Sequence, residues 1–116
     1  MFFKCSDDFV LRTDQIHYIT AGKDGICEVH LKFTKDYTYS ISVLDYTSLV
    51  AKLLKQNTGF YMTSNGDVFN IYDIMCMSKD DLTGKHYVYI FDVDGKESDI
   101  DFEISKENLE EILNLV

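Results

Sequence analysis

The chain has 116 residues, 46% of them hydrophobic and 14% aromatic, with eight Phe, eight Tyr and no Pro. That length supports one core rather than two domains, and the aromatic content excludes a disordered chain. Twenty acidic against eleven basic residues give a net charge of −9, which repels phosphate backbones at long range unless basic groups cluster locally.

The charge is unevenly spread. Residues 1–58 hold seven basic and seven acidic groups, whereas residues 59–116 hold four lysines against thirteen carboxylates. No apolar run approaches the roughly 20 residues that span a bilayer. Lys4, Asp7 and Asp8 interrupt the stretch where a signal peptide needs apolar residues. The expectation is a soluble, cytoplasmic protein without membrane contact.

In chain order, Ile16-His17-Tyr18-Ile19-Thr20 reads as an early strand, followed by a Gly22-Lys23-Asp24-Gly25 turn. Alternation in Glu28-Val29-His30-Leu31-Lys32-Phe33 predicts a half-buried strand over 26–34. Leu49, Val50, Leu53 and Leu54 follow helical spacing and predict a helix over 45–55 with Asp45 as its cap. Tyr87-Val88-Tyr89-Ile90-Phe91 is apolar on both faces and suits a central strand covered above and below. Asp94-Gly95 then predicts a two-residue turn with positive φ, joining 86–93 and 96–104 in a hairpin. Ser105 caps a last helix over 105–115, where Leu109, Ile112 and Leu113 follow helical spacing.

Similar patterns recur along the chain. At 58 residues' separation Val10, Ile16, Val29, Leu31 and Phe33 match Val68, Ile74, Tyr87, Tyr89 and Phe91. Asp45, Leu49 and Leu53 match Ser105, Leu109 and Leu113 at 60. Either the domain contains pseudo-repeat halves, 9–56 and 60–116, or two stretches of one β-rich domain share a binary pattern; turn residues that do not match favour the second. The fold expected is mainly β with two short helices, one domain of antiparallel strands over 1–116.

The order of elements resembles the LytTR domain, a β-rich DNA-binding module that usually forms the output half of bacterial response regulators. That family has an early I-x-Y-I-E strand, similar to Ile16–Thr20, and a hallmark like G-F-x-R-x-H-R-S-x-x-V-N after the first helix. Gly59-Phe60-Tyr61-Met62-Thr63-Ser64-Asn65-Gly66-Asp67-Val68-Phe69-Asn70 aligns with the hallmark without a gap. Ile74 follows at the expected distance, and Ile104-Ser105-Lys106 is similar to the closing pattern. The frame is kept without its basic residues: Met62 replaces the usual Arg, Ser64 the usual His, and Asp67, which opposes phosphate, stands where an aromatic is common.

The resemblance implies a small LytTR-like transcription-regulatory domain that binds duplex DNA through a weakened surface. Lys23, Asn65 and Lys106 match places where the family contacts DNA. Each also has a plain reading: turn lysine, type I′ turn residue before Gly66, and solvated helix residue. With all 116 residues taken up by the output domain, regulation falls to expression level, a partner, or self-association as a homodimer. The alternative is an acidic module of the same fold, an inhibitor, decoy or nucleic-acid mimic. It would meet a basic protein through Asp99, Asp101 and Glu103.

Other chemistry finds little support. Cys5, Cys27 and Cys76 have no metal-ligand or disulfide spacing and read as small hydrophobes among apolar neighbours. His17, His30 and His86 share no ligand spacing and read as surface residues, although His30 and His86 would lie on neighbouring strand faces if the sheet joined them. Asp92-x-Asp94 and Asp99-x-Asp101 read as a turn and a solvated strand face rather than an EF-hand. Phe60, Tyr61, Phe69, Tyr37 and Tyr39 read as core and strand residues rather than a stacking platform. No phosphate loop, nucleophile elbow or zinc signature occurs, so no catalytic group, metal or cofactor is expected.

Overall fold

The computed structural model describes residues 1–22, 24–33, 38–56 and 59–115. Short alternating runs there become β1 (Phe2–Lys4), β2 (Val10–Arg12), β3 (Ile16–Thr20), β4 (Ile26–Leu31) and β5 (Thr38–Ser42), followed by α1 (Val43–Lys55). The remainder forms β6 (Phe60–Met62), β7 (Val68–Asn70), β8 (Ile74–Lys79), β9 (His86–Ile90), β10 (Asp101–Ile104) and α2 (Lys106–Leu115). A 3-10 turn precedes β3 and another precedes β8.

Among the described residues all pairings are antiparallel and make three sheets: β1-β2, β5-β4-β3-β7-β6 and β10-β9-β8. The architecture is mainly β with two helices, as the sequence predicts. β9 is the central strand of its sheet, but Tyr87 and Tyr89 on its outer face are only half-buried. The hairpin around Asp94-Gly95 forms with shorter strands than 86–93 and 96–104. Its turn is also different: the Gly95 N–H bonds Asp92 O at 2.9 Å, the Asp92 N–H bonds Lys96 O at 2.9 Å, and only Gly95 has positive φ, at 77°. A three-residue loop with a glycine bulge therefore replaces the two-residue turn.

Capping also differs from expectation at α1. The cap is Ser42, whose Oγ accepts the Asp45 N–H at 3.2 Å. The Asp45 carboxylate is spent on the first hairpin, taking the Ser6 N–H at 3.1 Å and the Ser6 hydroxyl at 2.8 Å. At α2 the expected cap holds, with Ser105 Oγ accepting the Asn108 N–H at 3.0 Å.

Two cores result. Leu11, Ile16, Ile19, Val29, Leu49, Val50, Leu53 and Val68 anchor one beneath α1. Tyr61, Phe69, Val88, Ile90, Phe102, Ile104 and Ile112 make the other beneath α2. Aromatic packing ties the second together, with the Phe69 and Phe102 rings stacked at 5.0 Å and Tyr18 edge-on to Phe102 at 5.4 Å.

Element order in the second half parallels the first. Residue n of β1–β2 stands where residue n + 58 stands in β6–β7: Phe2 pairs Arg12 as Phe60 pairs Asn70, and Phe3 pairs Leu11 as Tyr61 pairs Phe69. Both hairpin turns close alike, Asp8 N–H to Cys5 O and Gly66 N–H to Thr63 O, each at 3.0 Å. Asp8 (φ 68°) and Gly66 (φ 87°) share the left-handed conformation although their side chains differ. Register shifts fall between Ile16 and Tyr18 and between Ile74 and Cys76.

Candidate nucleic-acid interface

The β6–β7 turn and the start of α2 are fastened together by Asn108, a buried polar residue. Its Oδ1 accepts the Ser64 N–H at 2.9 Å and its Nδ2 donates to Tyr61 Oη at 2.9 Å. Ser64 Oγ lies 3.5 Å from Ser105 Oγ. Next to it, Asn65 is exposed and donates from Nδ2 to the Glu103 carbonyl at 3.0 Å. Asn65 is not half of a type I′ pair: its φ is negative, and Gly66 alone supplies the positive φ of the turn.

Lys106 opens α2 and is exposed, one residue beyond the cap that Ser64 touches. Beside it runs an open groove lined by Lys79 at the end of β8, Lys85 and His86 at the start of β9, Glu103 of β10 and Lys106. Sequence reasoning did not single out Lys79 or Lys85. The one sign of a basic spot was the pair of lysines flanking the Asp80–Gly84 turn, masked by Asp80 and Asp81. Lys85 Nζ pairs with Glu103 Oε1 at 3.2 Å, and that carboxylate holds the ammonium pKa above its ordinary value. Glu103 thus meets Asn65 through its carbonyl and Lys85 through its side chain. Lys23 lies outside the described residues.

The residues of the alternative acidic face lie on β10 and on the segment just before it. Asp101 and Glu103 project from one side of β10, opposite Tyr89 and Tyr87. Asp99 is exposed but precedes the strand, because pairing as β-ladder starts only at Asp101.

The Asp67 carboxylate is bonded within the fold. It is half-buried, and Oδ1 accepts the Ala21 N–H at 3.3 Å. Burial pushes its carboxyl pKa up, and the Ala21 bond opposes the shift. Gly66 lies close by, its carbonyl accepting the Tyr46 hydroxyl. A Cβ on Gly66 would approach Ala21 Cβ to 3.0 Å, so the positive φ and the tight space both favour glycine.

His17 and His30 are not surface groups, whereas His86 lines the open groove. His17 is buried, with Nε2 3.0 Å from Phe91 O, and His30 is half-buried, stacked on Tyr18 at 4.0 Å. Desolvation lowers the His30 pKa, Glu28 opposes that shift, and His17 adds to it. Tyr18 links both rings to the second core, lying edge-on to His17 at 5.1 Å, stacked on His30 and edge-on to Phe102. His86 is in the other sheet, so His30 and His86 share no strand pair.

Cys5 and Cys27 are buried, whereas Cys76 is exposed on β8, contrary to the hydrophobe reading. Among the described residues no cluster of His, Cys, Asp or Glu has metal-holding geometry. Asp92 and Asp94 cap their own turn, accepting the Val93 N–H at 2.7 Å and the Lys96 N–H at 3.0 Å. Also among the described residues, no helix is long and apolar enough to cross a membrane.

No protein-family model matches the sequence, and no curated protein sequence matches it significantly. A solved LytTR DNA-binding domain from Bacillus cereus superposes with a TM-score of 0.58 over 97% of this chain and 94% of that one, at 13% identity. This chain has a LytTR-like fold. The hallmark residues it keeps have structural duties within that fold. Gly59 O accepts the Ile71 N–H at 2.9 Å, and a Cβ on Gly59 would meet the Tyr72 ring at 2.8 Å. Asn70 Oδ1 accepts the Tyr72 N–H at 3.0 Å, Phe60 packs on the first core, Ile74 packs on the second and Ser105 caps α2. The positions where cations are missing, Met62 and Ser64, are exposed.

Proposed function

We propose that this chain is a small LytTR-like transcription-regulatory domain that binds duplex DNA through a weakened surface. Asn65 and Lys106 make the contacts that the resemblance implies, Lys79 adds to them, and Lys23 belongs to the same set. The observation that carries the reading is the convergence of Lys79, Lys85 and Lys106 on one groove beside Asn65, in a half of the chain that is otherwise acidic. Lys106 is also misplaced for helix stability. A cation in the first turn opposes the helix dipole by about 0.3–1 kcal/mol, whereas a phosphate there is favoured. Asn65 brings amide donors and an acceptor suited to a base edge.

The surface is weak because Glu103 neutralises Lys85 and because three lysines are few. Titration of duplexes carrying spaced direct repeats tests the reading. If Lys23, Lys79 and Lys106 each neutralise one phosphate while Lys85 stays paired with Glu103, log affinity falls against log salt with a slope of about −3. Glu103→Gln tightens binding, and the double variant Lys79→Glu, Lys106→Glu abolishes it. Unchanged binding in that double variant, or none at low salt by the unaltered protein, overturns it.

A second reading has its own observation. Asp101 and Glu103 lie exposed beside Tyr87 and Tyr89, a mixed aromatic and anionic face suited to a basic protein. Under that reading Glu103→Gln weakens partner binding, the opposite sign to its effect on DNA.

A further inference from the structure

The two halves of the chain meet through a joint with a direction. The hairpin β6–β7 adds to the outer edge of β3, with Phe69 opposite Tyr18 and Val68 opposite Ile19. Among the described residues, β8 stands in the place of β3 yet has only β9 beside it, and β2 stands in the place of β7 yet has only β1 beside it. One joint is closed, and the donor half and the acceptor half of an identical joint stand open at the two ends.

Side chains carry the same asymmetry. Val68, on the face of β7 that meets the first core, is 0% exposed, whereas the matching Val10 is 50% exposed and Phe2, matching the half-buried Phe60, is 62% exposed. On the receiving side the cap residues Ser42 and Ser105 set the helix correspondence at n with n + 63, in place of the 60 that the sequence pattern suggests. Val50 of α1, which shares a core with Val68, is 4% exposed, while its counterpart Leu113 of α2 is 53% exposed. Exposed apolar groups therefore occur at both open ends, at positions whose counterparts are covered in the closed joint.

We propose that a second copy of this chain docks head to tail, the β1–β2 hairpin of one copy adding to the β8 edge of the next. The closed joint sets the register: Leu11 opposite Cys76 and Val10 opposite Met77, with Val10 and Phe2 covered by β8 and Leu113 of the acceptor. Pairing along the edge supplies main-chain hydrogen bonds, and the apolar contacts supply burial. The occupant is a second copy because donor and acceptor faces belong to the same chain and correspond residue by residue to a joint the chain already makes. Such an interface is heterologous, so successive copies add in a ring or an open array rather than a closed two-fold dimer.

Complementation of defective copies tests this. Val10→Lys spoils the donor and Leu113→Lys the acceptor; both sites are exposed, and circular dichroism and thermal melting check that each variant folds like the parent. In analytical ultracentrifugation the parent's average mass rises with concentration past twice the monomer, and each variant alone stays monomeric. An equimolar mixture gives dimers and nothing larger, because one partner keeps a sound donor and the other a sound acceptor. In a Cys76→Ser background, a Val10→Cys copy mixed with a Met77→Cys copy forms a disulfide between the two variants. A parent that stays monomeric at the highest concentration, a mixture that stays monomeric, or a dimer that persists in Val10→Lys alone each overturns the proposal. The last would assign the contact to another face, and binding of an unrelated protein at β8 with no self-association would assign the edge to that partner.

Discussion

The two hairpins of the molecule have the same register and the same turn conformation, yet one end of the chain leaves exposed what the other buries. Val68 and Val10 are the same residue at matched strand positions; the first is sealed between β3 and α1, and the second faces solvent. Local sequence thus fixes the shape of each hairpin, while its energetic worth depends on whether a neighbour covers it.

The largest contrast is expected at the helix caps. Asp45 and Asn108 occupy matched sites and bind matched serines, Ser6 and Ser64, but Asn108 is buried and also holds the Tyr61 hydroxyl. Asn108→Ala takes the buried partner from the Tyr61 hydroxyl and from the part-buried Ser64 N–H, at a cost of about 2 kcal/mol in urea unfolding. Asp45→Ala leaves groups that water reaches and costs about 1 kcal/mol or less. Equal losses would mean that burial does not separate the two caps.

Next comes the valine pair. Val68→Ala removes buried methyl groups and leaves a void, costing about 2 kcal/mol. Val10→Ala in dilute solution falls within about 0.5 kcal/mol of the parent. Raising the protein concentration sharpens the comparison: if copies dock through β2, the penalty at Val10 grows with concentration while that at Val68 does not.

How far these contrasts were legible in the sequence depends on the length of the signal. Alternation over 28–33 and helical spacing over 45–55 and 105–115 carried the longer elements, although the ladder ends at Leu31 and α1 begins at Val43. β1, β2, β6 and β7 have three residues each, too few for any period, and only the resemblance placed β6 and β7. Gly59, Asn70 and Ser105 were readable because their duties are local: a turn and two caps. Asn108 was not, because an Asn in a helix signals nothing until Tyr61 and Ser64 are folded against it. Charge misled for a related reason. Lys79 and Lys85 are separated in sequence by two aspartates, and hairpin geometry rather than composition brings them to Lys106.

The smallest expected effect concerns the position that most separates the two hairpins chemically. Phe9 in the first has its ring 4.0 Å from Tyr39, and the matching residue of the second is Asp67, half-buried against Ala21. Burial raises the Asp67 pKa in the folded chain above its ordinary 3.8, so the folded state binds that proton more tightly than the unfolded chain does. The stability this linkage gives is complete below the unfolded pKa and is lost as pH rises through the folded one, leaving the ionised carboxylate a net cost at neutral pH. Asp67→Asn keeps an oxygen for the Ala21 N–H and removes the charge. The expected gain is on the order of 0.5 kcal/mol at neutral pH, shrinking to nothing in acid, as thermal melts across pH would record. A gain of equal size at every pH would show that shape, not ionisation, distinguishes Asp67 from Phe9. A loss at neutral pH would mean that the charge strengthens the Ala21 bond by more than its burial costs.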